Sequence, residues 1–211
     1  MTNLRRDPDF FQPIWRILLL QSISYLLART YFIISGSKIY RDKWHFDQGV
    51  RYIVAANHIS LFDPFVCTSA LGWATARGLM PCRFMTTPKF LSIRYLGRLM
   101  IWLGSFPSHP FGGMPYGIDG GERVLKNDQT LVIFPQGKRH KCSGDPGDAR
   151  PGVILIGQKF DESMIIPVLM ELQRRKFWFN KFSVYCGKPL NPHEYSAESL
   201  MKHIFSLNHS I

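Results

Sequence analysis

Acid is what this chain is short of: 15 Asp and Glu stand against 26 Lys and Arg, a formal net charge of +11 over 211 residues. That excess favours a polyanionic partner, whether nucleic acid, an anionic bilayer or a phosphorylated substrate, and does not choose among them. Cysteine is sparse too. Cys67, Cys82, Cys142 and Cys186 lie far apart with no C-x-x-C pair, so neither a zinc ribbon nor a dithiol redox motif is indicated, and reduced, mostly buried thiols in a cytosolic setting are the simpler reading. The chain has no G-x-S-x-G elbow, no G-x4-G-K-[ST] loop and no H-E-x-x-H pair, which leaves a serine hydrolase, a P-loop nucleotidase and a zincin without footing. It has no internal repeat and no low-complexity tail.

A long apolar run is also missing. Residues 14–39 are strongly apolar, but Arg16, Gln21 and Arg29 interrupt them, and no stretch reaches the roughly 18 to 20 apolar residues of a spanning helix. No A-x-A cleavage site marks a secretory leader. The stretch reads as a helix lying in or dipping into one leaflet, with Arg5, Arg6, Arg16, Arg29 and Lys38 among lipid headgroups. The alternative is a helix packed on the rest of the domain. A nucleic-acid binder would account for the charge but not for this apolar segment.

With 45% hydrophobic and 19% charged residues, the remainder can bury one full core. The reading divides the chain into a membrane-associating helical segment, residues 1–45, and one domain, 46–211. Strands are predicted at 50–56, 83–86, 130–134, 164–170 and 182–186, and helices at 65–71, 89–102, 118–126, 153–160 and 197–207. Their alternation indicates an α/β fold. Gly and Pro cluster at 106–121 and 140–152, two long loops of the kind that carry function.

Two constellations carry chemistry. The first is Asn57-His58-Ile59-Ser60-Leu61-Phe62-Asp63, between a strand and a helix start marked by Asp63-Pro64. On a continuous helix a five-residue step sets side chains about 140° apart, but a turn intervenes here, and Asp63 can fold back onto the imidazole. A carboxylate on one ring nitrogen fixes the tautomer and frees the other to take a proton from a substrate hydroxyl. The alternative is that Asp63 only caps the helix and His58 only satisfies the turn. The second is Phe134-Pro135-Gln136-Gly137-Lys138-Arg139-His140-Lys141, a strand ending in a basic turn that suits a phosphate, or else is simply solvated.

Taken in this order, the two resemble the glycerolipid acyltransferases typified by 1-acylglycerol-3-phosphate acyltransferase, over residues 50–190. The family's Asn-His-x4-Asp block is intact as Asn57, His58 and Asp63. Its Phe-Pro-Glu-Gly-Thr-Arg block resembles residues 134–139, with Gln136 for Glu and Lys138 for Thr. Its Arg-ended second block resembles residues 104–109, with His109 for Arg, and its apolar block with a central Pro resembles Ile165-Ile166-Pro167-Val168. Residues 184–190 resemble the closing Gly-Lys-Pro-Leu segment.

The resemblance implies a mixed sheet flanked by helices, with His58 as base and Asp63 as its partner. It also implies acceptor binding by Gln136, Gly137, Lys138, Arg139 and His109, and transfer of a fatty acyl group to a lysophospholipid hydroxyl, giving phosphatidic acid from 1-acylglycerol-3-phosphate. Acyl-CoA or acyl-acyl carrier protein would be a co-substrate, with no resident cofactor and no metal. The partners implied are membrane lipids at the cytoplasmic face, the lysolipid and the thioester donor, and not nucleic acid. A different lysolipid, hydroxyl or amine acceptor, or a non-catalytic basic lipid binder, remains an alternative.

Overall fold

The computed structural model describes residues 13–109, 117–140, 146–176 and 179–210. Helix α1, Ile14–Ser35, starts after Pro13 and runs 22 residues without a break. It ends at Gly36, whose φ of 66° lets its own N–H and that of Ser37 return to the carbonyls of Ile33 and Phe32. The backbone N–H to C=O bonds run on past the arginines that interrupt the apolar run, and by length and composition α1 is long and apolar enough to cross a bilayer, contrary to the expectation that no segment would be. What distinguishes it from a free spanning helix is its packing. Ile17, Gln21, Tyr25, Phe32 and Ser35 form one buried stripe, while Trp15, Leu19, Ile23, Leu26, Leu27, Ile33 and Ile34 are exposed.

After α1 come β1 (Lys38–Arg41), β2 (Arg51–Ala56), α2 (Asp63–Ala70), α3 (Trp73–Leu79), β3 (Cys82–Thr86), α4 (Pro88–Leu91), α5 (Arg94–Trp102) and β4 (Ser105–Pro107). They are followed by α6 (Ile118–Lys126), β5 (Thr130–Ile133), α7 (Gly152–Gly157), β6 (Ser163–Gln173), β7 (Lys181–Cys186) and α8 (Ala197–Ser210). All five predicted strands are present. Strands β1 and β4, of four and three residues, were not foreseen: both sit at sheet edges, and so few residues carry no periodicity. Strand β1 belongs to the same sheet as the rest, although it lies before residue 45. Helix α3 was also unforeseen, and the predicted helix 89–102 is two helices, broken where Ile93 turns extended.

The strands form one mixed α/β sheet in the order β1-β7-β6-β2-β5-β3-β4, parallel throughout except for the antiparallel β6–β7 pair. Alternation along the strands feeds two cores. Tyr52, Val54, Ala56, Val132, Ile166, Val168 and Met170 pack with α1, α2 and α3 on one face. Ile53, Ala55, Leu131, Ile133, Ile165 and Leu169 pack with α6, α7 and α8 on the other. Cys67, Cys82 and Cys186 are free and buried in the first core, where burial pushes the Cys82 and Cys186 thiols up to about 12. Cys142 lies outside the described residues.

Chain winding places the site. From β2 the chain moves to β3 and β4 on one side, returns to insert β5 beside β2, then crosses to β6 on the other side of β2. The winding therefore reverses around β2, and the crevice beyond the carboxyl ends of β2 and β5 is where open α/β sheets take ligands. Register pairs Ala55 with Ile133, so residues 57–63 and 134–140 leave the sheet side by side.

Candidate active site

Strand β2 is ended by its own side chain. Asn57 is fully buried, and its amide exchanges two bonds with β6: Nδ2 donates to the Met170 carbonyl at 2.8 Å, and the Met170 N–H donates to Oδ1 at 2.7 Å. The amide thus mimics one more ladder pair and fixes where the next residue, His58, departs. The backbone of His58 is then clamped by the neighbouring loop. Its N–H donates to Gln136 Oε1 at 2.7 Å, and its carbonyl accepts from the His140 N–H at 2.8 Å. The imidazole stacks on Phe134, ring centroids 4.4 Å apart.

Asp63 is fully buried, and its Oδ2 gathers three donors: His58 Nδ1 at 2.7 Å, the Ile59 N–H at 2.6 Å and the Ser60 N–H at 2.8 Å. This corrects the capping alternative. Asp63 is the first residue of α2 rather than its N-cap, and no side chain caps that helix; the carboxylate instead ties up the turn before it. With Nδ1 donating to Asp63, Nε2 is left as the acceptor, on a side chain 21% exposed. Phe134 sets the ring plane and Asp63 the tautomer, which is the arrangement a general base requires.

Of the residues expected to bind an acceptor, the structure brings Lys138 and Arg139 beside His58 through the His140–His58 bond, both exposed. No acidic partner meets either among the described residues. Gly137 has φ 65°, and its N–H returns to the Phe134 carbonyl at 2.9 Å, so the loop needs a residue free to adopt left-handed backbone. Gln136 is turned inward. Its side chain is buried, accepting from His58 and donating from Nε2 to the Pro146 carbonyl at 3.1 Å; it is a latch between two loops. His109 is exposed and meets Ser108 Oγ at 3.0 Å. It follows β4, the edge strand separated from β2 by β5 and β3, and no hydrogen bond among the described residues joins it to His58.

One group was missed. Arg150 N–H donates to the Pro135 carbonyl at 2.9 Å, and its side chain lies where a Cβ on Gly137 would sit, adding a third exposed cation to Lys138 and Arg139. The signal was its place directly before Pro151, where the second loop rejoins a helix. Opposite, between α1, α2 and the start of β7, is a cavity of about 400 Å³ lined by Leu27, Tyr31, Phe32, Phe65, Val66 and Phe182. Ser60 and Phe62 of the His58–Asp63 turn also line it. Among the described residues no group of three or more His, Cys, Asp or Glu could hold a metal.

The stretch of chain that carries this histidine, its buried carboxylate and the basic turn, residues 35–171, is matched by a family model described as Acyltransferase. The chain belongs to the acyltransferase family. Its fold is also similar to the crystal structure of the 1-acyl-sn-glycerophosphate (LPA) acyltransferase PlsC from Thermotoga maritima. The TM-score is 0.59 at 18% identity, over 92% of this chain and 79% of that one. No curated protein sequence matches. As an acyltransferase, the chain has its family match beginning at the end of α1 and running through most of β6, so both loops of the site lie inside it.

Proposed function

We propose that this acyltransferase moves a fatty acyl group from a thioester, acyl-CoA or acyl-acyl carrier protein, to the hydroxyl of a lysophospholipid, 1-acylglycerol-3-phosphate foremost, at the cytoplasmic face of a membrane. The 2.7 Å bond between His58 Nδ1 and Asp63 Oδ2 carries the reading. His58 Nε2 takes the hydroxyl proton as the oxygen attacks the thioester carbonyl. Asp63 stabilises the imidazolium that results. Collapse of the tetrahedral intermediate breaks the C–S bond, and the leaving thiolate takes the proton back from Nε2. Atoms balance without a covalent enzyme intermediate.

Arg139, with a fork suited to two phosphate oxygens, and Lys138 and Arg150 as further cations, hold the acceptor phosphate. The apolar cavity beside Ser60 and Phe62 suits an acyl chain whose carboxyl end reaches the turn. Exposed apolar residues along α1 support docking on a bilayer. Incubating purified protein with several lysolipids and both donor types, with products identified by mass, tests the reading. Acylated 1-acylglycerol-3-phosphate supports it; acylation of an acceptor lacking phosphate alone would replace it.

A further inference from the structure

Helix α5 is built inside out for a soluble protein. Of its nine residues only Gly97 is buried, packed so closely on the Leu91 carbonyl of α4 that no side chain would fit there. Tyr95, Leu99 and Trp102, spaced i, i+4, i+7, share one face, and with Ile93 and Leu96 they are exposed, from 43% for Leu96 to 73% for Tyr95. Arg94 and Arg98 are exposed beside them, the first with its guanidinium over the Tyr95 ring at 5.2 Å. None of the chain's 15 acidic residues lies between Asp63 and Asp119, so nothing on this stretch opposes the positive charge. An apolar face flanked by arginine and bearing Tyr and Trp is the composition of a helix lying at a lipid–water boundary.

The helix is also fixed to α1. Gln21, at the middle of α1, donates from Nε2 to the Leu103 carbonyl at the end of α5 (2.9 Å) and to the Cys82 carbonyl (2.6 Å), and accepts from the Cys82 N–H (2.9 Å). A glutamine with these three bonds holds α1 against the domain and α5 against α1. We propose that α5 is a second membrane-docking element, which lies in the interface of an anionic bilayer with Leu96, Leu99 and Trp102 among acyl chains and Arg94 and Arg98 at phosphate headgroups. The protein then meets the membrane at two rigidly joined helices. The inference rests on the bilayer-docking reading of α1, and its test separates the two.

The test is sedimentation of the full chain with vesicles of phosphatidylcholine and phosphatidylglycerol, for the wild type, Leu96→Asp/Leu99→Asp, Arg94→Gln/Arg98→Gln and, on α1, Leu19→Asp/Ile23→Asp. The altered side chains are exposed, so thermal unfolding should be unchanged and shows that each variant folds. The Asp pair on α5 should weaken vesicle binding at least about tenfold, and the Gln pair roughly fivefold per arginine on anionic vesicles only. Hydrogen exchange at residues 93–102 should slow when vesicles are added. Full binding by both folded α5 variants, with loss only in the α1 variant, would overturn the proposal and leave α1 docking intact. Full binding by all three would overturn both. If the lipid-free wild type proves to be a dimer that the Leu96→Asp/Leu99→Asp change makes monomeric, the face belongs to a second copy and the proposal fails.

Discussion

Replacing Gln136 by Glu restores a residue common to the family pattern, and this structure predicts that it damages the fold. The wild-type amide does two opposite things at one buried position: Oε1 accepts from the His58 N–H at 2.7 Å, and Nε2 donates to the Pro146 carbonyl at 3.1 Å. A carboxylate keeps the first and cannot make the second. The bond to His58 gains charge assistance, worth up to about 3 kcal/mol in place of about 1. Against this stand the lost bond to Pro146, at about 1 kcal/mol, and the cost of holding an ion at a site 2% exposed, several kcal/mol after relaxation. The net is a loss of about 2 to 4 kcal/mol, or roughly 5 to 15 °C in melting temperature for a chain of this length.

Burial raises the folded-state pKa of the new carboxyl above its unfolded value of about 4.3. The deficit is therefore smallest below that value, where the protonated group can donate to Pro146, and grows as pH rises through the folded-state pKa. Thermal unfolding of Gln136→Glu and wild type at pH 5 and pH 8 reads this directly. A variant as stable as wild type at pH 8, or one that gains stability as pH rises, would refute the latch.

Asn57→Ala strands the N–H and carbonyl of Met170 in the core and should cost about 2 to 6 kcal/mol in denaturant unfolding, at about 1 to 3 kcal/mol per unsatisfied group. Asp63→Asn keeps an oxygen for the Ile59 and Ser60 amides but cannot stabilise an imidazolium, so kcat should fall at least about a hundredfold; its NH2 meets no acceptor at the place of Oδ1, and stability should fall by about 1 to 3 kcal/mol. Arg139→Ala and Arg150→Ala should each raise the acceptor KM with the donor KM nearly unchanged; equal, salt-sensitive losses for both substrates would mark a loop that only attracts anionic lipid.

The sheet was legible where strands are buried and long enough to show composition, as at residues 51–56 and 163–173, and illegible at the edges, where Lys38–Arg41 and Ser105–Pro107 pair with one neighbour each. His58 and Asp63 could be read because a turn between strand and helix brings a five-residue step face to face. The other contacts of Asp63 could not: the sequence pattern also suits an N-cap, and only the fold shows the carboxylate gathering the Ile59 and Ser60 amides before the helix. Gln136 and Lys138 look alike as departures from the family pattern, yet one faces inward and the other outward, a difference set by the turn at Gly137. Arg150 and His109 exchange places for a related reason. Proximity to His58 follows sheet order and loop closure, which linear spacing does not record.

The proposed chemistry stands on His58 taking the acceptor proton. Single-turnover acyl transfer by folded His58→Ala, with saturating lysolipid and thioester, tests it most directly, because binding and product release are removed from the rate. The expected loss is at least about a hundredfold in the chemical step, with unfolding temperature and vesicle binding close to wild type. Transfer at a near-normal rate by a variant shown to be folded would contradict it.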